Sequence, residues 1–283
     1  MKTPKRLLPL LEEGLVDEVM RQLMSGKEAT VYVVRCGDDI RCAKVYKEAT
    51  QRSFHQAVAY QEGRRVKNSR QARAMEKGTR YGRKMAEEVW QSAEVDALYR
   101  LAAAGVRVPT PYLCHEGVLL MELVTDADGN AAPRLNDVEL NRERALELHA
   151  VLLQQVVLML CAGVIHGDLS EFNILVDASG PVIIDLPQAV DAAGNSVAST
   201  MLERDVTNLA NFFGAFAPEL LGSQYGKEIW GLYQAGLLTP DTPLTGRVEA
   251  SKEPADVAAV IREIELARHE EEERRRAQME ISA

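Results

Sequence analysis

Residues 166–185 read HGDLSEFNILVDASGPVIID, and this block restricts the possible folds more than any other stretch of the chain. Two short apolar runs, NILV and VIID, flank the turn formers DASGP and are expected to pair as a hairpin. Asp168 and Asn173 stand five residues apart just ahead of the first run, and Asp185 closes the second. Singly, each has an ordinary reading: an Asp after His-Gly is a turn residue, and an Asn before a strand is a turn cap. Together they form a set of oxygen donors around one hairpin, which turn chemistry alone does not require.

The rest of the chain supplies a frame. Residues 7–23 are expected to form a helix. In SGKEATVYVVRCGDDIRCAKVY, two β-rich runs flank Gly37, Asp38 and Asp39, a hairpin signal. Residues 48–84 lack apolar periodicity, which in a compact domain marks a functional or disordered segment. A helix follows, with Trp90, Ala93, Ala97, Leu98 and Leu101 at helical spacing and Gly105 at its end. Pro109 and Pro111 separate it from GVLLMELV, a buried strand, and DADGNAAPR reads as the loop between two lobes. Residues 142–162 are apolar on nearly every face in their second half, as in a core helix.

The donor set suits phosphoryl transfer, which asks a protein for positioning and charge stabilisation more than for covalent chemistry. One Asp faces the acceptor hydroxyl, an Asn carbonyl holds Mg²⁺, and a second Asp bridges the metal to phosphates. Asp168, Asn173 and Asp185 fill those places, and the five-residue spacing is that of a kinase catalytic loop. The phosphates then require a cation upstream. Lys44 shares a strand face with Cys42, and Glu94, an acid on the apolar stripe between Trp90 and Leu98, is its expected partner. Glu87, at the edge of the stripe, is the second choice.

In motif order the chain resembles the RIO family of atypical serine/threonine protein kinases, most closely its RIO-one branch. SGKEATVY is similar to that family's phosphate loop, CAKVYK to its lysine strand, GVRVPTP to the turn after the lysine-pairing helix and MELV to its hinge. HGDLSEFNILV is similar to the catalytic loop, IDLPQAV to the metal-binding segment and RDVTNLANFF to a late helix. The resemblance implies an α+β, two-lobed kinase-like fold, with an N-terminal helical segment 1–24, an N-lobe 25–125, a C-lobe 126–250 and a charged tail 251–283. It implies ATP and Mg²⁺ (or Mn²⁺) as cofactors and Asp168 as catalytic base. Asn173 and Asp185 become metal ligands, with Asp185 also the acceptor of an aspartyl-phosphate. Lys44 and Glu94 become the phosphate-positioning pair. Backbone around Met121, Glu122 and Val124 would hold the adenine beside Cys42, and Ser25, Gly26, Lys27, Glu28, Ala29 and Val31 would cover the phosphates. Segment 48–84 corresponds to a mobile loop in that family.

Several features bound the alternatives. The net charge of −9 argues against bulk attraction to nucleic acid, and no DNA partner is expected. Residues 63–84 are the exception, with nine Lys or Arg against Glu76, either a solvated segment or a contact for RNA, a ribosome or an acidic partner. No apolar run reaches the roughly 20 residues of a membrane span, so a cytoplasmic location and no membrane partner are expected. Cys36, Cys42, Cys114 and Cys161 show no C-x-x-C spacing and read as buried free thiols. APEL, residues 217–220, matches the end of an ordinary kinase activation loop but is read as coincidence. Competing readings are an ATPase-type switch in ribonucleoprotein maturation, or a small-molecule kinase, which usually has His-x-x-Asn where this chain has Ser170-Glu171-Phe172-Asn173.

Overall fold

The computed structural model describes residues 3–26, 28–47 and 93–248. Lys27, Glu87, the basic segment 63–84 and the tail 251–283 therefore lie outside the described residues.

Five antiparallel strands make one sheet in the order β1-β2-β3-β5-β4: β1 (Glu18–Ser25), β2 (Ala29–Cys36), β3 (Asp39–Tyr46), β4 (Pro111–His115) and β5 (Val118–Glu122). β2 and β3 pair without a break from Ala29↔Tyr46 to Cys36↔Asp39, around a turn in which Gly37 takes φ 63. Period-two alternation splits β3 between two cores. Ala43 and Val45 pack with Leu7, Leu10, Val16, Val118 and Leu120. Tyr46 joins the main core on the other face, with Val95, Leu98 and Leu101 of α2, a helix whose described part covers 93–103.

The helix expected over 7–23 is broken. α1 (Leu8–Glu12) ends at Gly14, where φ 71 lets the amides of Leu15 and Val16 fold back onto the Leu10 carbonyl. Residues 18–25 then pair with β2 as β1, so this segment is part of the sheet layer and not a separate helical unit. β4 was also absent from the sequence reading. It is a short strand that opens with a proline and carries a register shift between Pro111 and Leu113.

The C-terminal part is mainly helical: α3 (Arg142–Cys161), α4 (Ala198–Gly214) and α5 (Tyr225–Gln234). Two small ladders sit among them, β6 (Val164–Ile165) with β9 (Val190–Asp191), and β7 (Ile174–Asp177) with β8 (Gly180–Ile183). The Asn141 side chain caps α3 by accepting from the Arg144 amide at 2.8 Å. Ala145, Leu148, Leu152, Val156 and Leu160 form the buried stripe. By length and composition α3 could cross a membrane, contrary to the expectation above, but its stripe lies in the main core. DADGNAAPR is a loop closed by Asp126, whose Oδ1 accepts from the amides of Asp128 and Asn130. All four cysteines are free, as expected, but only Cys42 is buried: Cys36 is half-buried, and Cys114 and Cys161 are exposed because they face outward from an edge strand and from the end of α3. APEL follows α4, so it stands after the helix that an activation-loop motif would precede, and its Glu219 pairs with Arg142 of α3.

Candidate active site

Lys44 points from β3 toward α2 and the C-terminal part. Its Nζ lies 2.5 Å from Glu94 Oε1 and 2.9 Å from Asp185 Oδ1. Lys44 is 8% and Glu94 4% exposed, so neither charge could sit there without the other. Burial pulls the Lys44 ammonium down, but Glu94 and then Asp185 outweigh it and hold the group above the ordinary lysine value. Burial pushes the Asp185 carboxyl up. Lys44 first, then His166 and Arg134, reverse this and hold it below the usual carboxylate range. Asp185 lies two residues beyond β8 with φ 65, a left-handed backbone that few non-glycine residues adopt.

Asp168 and Asn173 lie on a loop held from below by α4. Asp205 Oδ2 accepts from the Gly167 amide at 2.7 Å and Oδ1 from the Leu169 amide at 3.0 Å. Asn208 Nδ2 donates to the Leu169 carbonyl at 3.1 Å, and Arg204 donates to the Gly167 carbonyl. His166 Nε2 lies 3.0 Å from the Ile184 carbonyl, with Nδ1 facing the Asp168 amide at 3.3 Å. The loop backbone is thus pinned on both sides of Asp168, whose residue is itself exposed. Burial pushes Asp205 up to about 6, while His166 and the two amides pull it back. Asn173 Nδ2 donates to the Asp168 carbonyl at 2.8 Å and bends the loop. Its Oδ1 makes no hydrogen bond among the described residues.

These groups fit a hard divalent cation. Among the described residues no cluster of three or more His, Cys, Asp or Glu could enclose a metal. The available donors are instead the Asn173 and Asp185 oxygens, and a cation such as Mg²⁺ accepts so small a protein share because it keeps waters and takes phosphate oxygens.

On the sheet side, Cys42 pairs in register with Met121, and burial pushes its thiol up to about 12, so it stays neutral. The Glu122 side chain is committed to Thr110 N and Oγ1, both at 3.0 Å, and to Arg107 at 3.2 Å. The Glu122 amide donates to the Thr110 carbonyl and the Val124 carbonyl accepts from the Ala132 amide. The Val124 side chain is buried with Ala132 and Val182. At the β1–β2 turn, the Gly26 amide donates to the Ala29 carbonyl at 2.9 Å, and Ser25 Oγ lies 3.3 Å from Thr30 Oγ1. Lys47 Nζ holds the Gly26 carbonyl at 2.5 Å and its amide donates to the Glu28 carbonyl. Val31 pairs with Lys44.

Sequence reasoning missed Asp205, Asn208, Lys47 and Arg107. A signal existed for Asp205: it is an acid on the buried stripe of α4 between Leu202 and Leu209, the same anomaly that identified Glu94.

A RIO domain family model matches residues 30–224. The RIO-type serine/threonine-protein kinase Rio1 of Haloferax volcanii is 34% identical over 206 residues, covering 72% of this chain and 66% of the relative. The human serine/threonine-protein kinase RIO1 is 31% identical over 214 residues, covering 75% of this chain and 36% of the relative. The chain thus spans two thirds or less of these relatives' lengths. Among solved structures, the Rio2 kinase–ADP/Mg²⁺–phosphoaspartate complex from Chaetomium thermophilum superposes with a TM-score of 0.53 at 22% identity, covering 74% of this chain and 59% of that one. The fold is accordingly the two-lobed, α+β kinase-like one.

Proposed function

The chain belongs to the RIO domain family, and from that membership we propose that it is a Mg-ATP-dependent phosphotransferase acting on itself and on a protein hydroxyl. The observation that carries this reading is the Lys44 ammonium of β3 held between Glu94 of α2 and Asp185 just past the β7–β8 hairpin. That arrangement puts a fixed positive charge beside the acid expected to face the phosphates. Asn173 and Asp185 would hold Mg²⁺, which would supply charge neutralisation for the transferred phosphoryl group. The β1–β2 turn covers the phosphates, and the backbone of Glu122 and Val124 meets the adenine beside Cys42 and Met121.

In the protein-kinase reaction, the Asp168 carboxylate accepts the proton of an acceptor hydroxyl. That oxygen bonds to the γ-phosphorus as the bond between the γ-phosphorus and the β–γ bridging oxygen breaks, and ADP leaves. Where Asp185 itself is the acceptor, a carboxylate oxygen makes the new bond, and water later releases inorganic phosphate. A phosphoaspartate is part of the Rio2 complex named above, which motivates this second route here.

The short connection favours weighing an ATPase-type switch beside the kinase output. Only residues 186–197 lie between Asp185 and α4, with no extended platform for a peptide substrate. The basic segment 63–84 would then contact RNA or a ribonucleoprotein, and neutralising Arg64, Arg65, Arg70 and Arg73 should abolish that association and its steep salt dependence.

Incubation of wild type and Asp185→Ala with Mg²⁺ and γ-labelled ATP separates the outputs. Hydroxylamine-labile label that requires Asp185, with steady phosphate release, supports the ATPase route. Hydroxylamine-stable label on Ser or Thr supports the kinase route. No label and no phosphate release from wild type would reject both.

A further inference from the structure

Arg107, in the connection between α2 and β4, binds four separate parts of the molecule. Its Nη1 donates to both Glu122 oxygens, at 3.2 and 3.3 Å, and its Nη2 to Glu122 Oε1 at 3.3 Å and to Asp177 Oδ2 at 2.5 Å. The backbone adds two more ties. The Arg107 amide donates to Gln155 Oε1 of α3 at 2.6 Å, and its carbonyl accepts from the Ile183 amide of β8 at 2.9 Å.

The two carboxylates belong to the two halves of the nucleotide site. Glu122 ends β5, where the adenine is expected, and is held again by Thr110. Asp177 ends β7, on the hairpin that carries Asn173 immediately before β7 and Asp185 two residues past β8. Asp177 divides its oxygens: Oδ1 accepts from the Ser179 and Gly180 amides at 2.7 and 2.9 Å and closes the hairpin turn, while Oδ2 serves Arg107. An exposed ion pair in this place would contribute little. Here the Asp177 side chain is only 8% exposed, against 36% for Arg107, and the forked geometry restricts orientation as well as distance.

We propose that Arg107 is a positioning residue that fixes the base-binding end of the nucleotide site relative to the metal-bearing hairpin. A nucleotide joins a base to metal-bound phosphates through a short covalent span. Two half-sites held at the matching separation bind it more tightly than either fragment predicts, because the second contact becomes intramolecular. Letting the halves drift removes that advantage without altering either half. This role rests on the Mg-ATP reading above and extends it to a residue that touches no ligand.

Two variants isolate the effect. Asp177→Asn keeps the Oδ1 acceptor that closes the turn and replaces the oxygen facing Arg107 with an amide donor. Arg107→Lys keeps the charge but loses the fork. Adenosine and Mg-ATP are titrated into wild type and both full-length variants. The expected result is a fall of about 10-fold in Mg-ATP affinity in each variant, with adenosine affinity within about 2-fold of wild type. Equal losses for both ligands would overturn the proposal, since they mark a local base contact or general loosening, and so would unchanged Mg-ATP affinity. Failure of wild type to bind Mg-ATP would reject the phosphotransferase reading itself and this role with it.

Discussion

Asp168 and Lys44 both carry charge at the cleft, but they contribute differently. Asp168 is exposed on a loop that other residues hold in place, so removing its carboxylate takes away the proposed proton acceptor and little structure. Asp168→Ala should lower turnover by more than about 10²-fold while Mg-ATP affinity is kept; single-turnover kinetics beside a binding titration checks this, and loss of binding would make the residue structural. Lys44 is half of a buried pair. Lys44→Met leaves Glu94 uncompensated and should cost about 3–5 kcal/mol in urea unfolding, whereas Lys44→Met with Glu94→Leu should recover most of that. Turnover should stay absent in the double variant, which separates folding from chemistry. Lys44 and Glu94 were legible in the sequence because each breaks a local pattern: a charge on a strand face shared with Cys42, and an acid on an apolar helical stripe.

At the scale of elements, the loop 166–173 has its shape from α4. Asp205 spans two amides of that loop with its two oxygens, and a substituted Asn can accept from only one of them. Asp205→Asn should therefore destabilise the protein by about 1–3 kcal/mol and lower turnover by at least about 10-fold, with Mg-ATP affinity little changed. Faster amide hydrogen exchange at Gly167 and Leu169 would locate the effect. The family segment RDVTNLANFF marked this helix in the sequence, but its function as a clamp depends on a contact 38 residues back along the chain. β1 and β4 escape sequence periodicity for different reasons. β1 carries two register shifts, between Val19 and Arg21 and between Gln22 and Met24, which erase period-two alternation and leave apolar spacing that imitates a helix. β4 is too short for its pattern to register, and both strands exist because neighbouring strands offer them a ladder.

Across the whole molecule, α3, α4 and α5 meet around His149, whose ring centroid lies 5.6 Å from that of Phe213 and 5.7 Å from that of Tyr225. Its Nε2 has no hydrogen-bond partner among the described residues, and burial pulls the group down to about 4. The unfolded chain binds a proton near pH 6.5, so between about pH 6.5 and 4 the unfolded state holds more protons than the folded one. The contribution of His149 to stability should be complete above that window and fall by about 3 kcal/mol as pH drops through it, while Asp205, held up at about 6, contributes in the opposite direction below that pH. Urea unfolding of wild type and His149→Leu at pH 7, 5.5 and 4.5 isolates the His149 contribution: wild type should lose stability relative to His149→Leu as pH falls, and a constant gap would reject the assignment. The amino-acid sequence by itself was enough to place Asp168, Asn173 and Asp185 around one hairpin, to pair Lys44 with Glu94 and to mark the β2–β3 hairpin and the core helix α3, because spacing along a strand, helix or tight loop dictates which side chains share a face. Tertiary packing was needed to bring Lys44 to Asp185, 141 residues away, to set Asp205 of α4 under the loop, and to bond Arg107 to both Glu122 and Asp177. Those contacts arise when separate elements close on one another, and neither helical nor strand periodicity encodes the distance between elements.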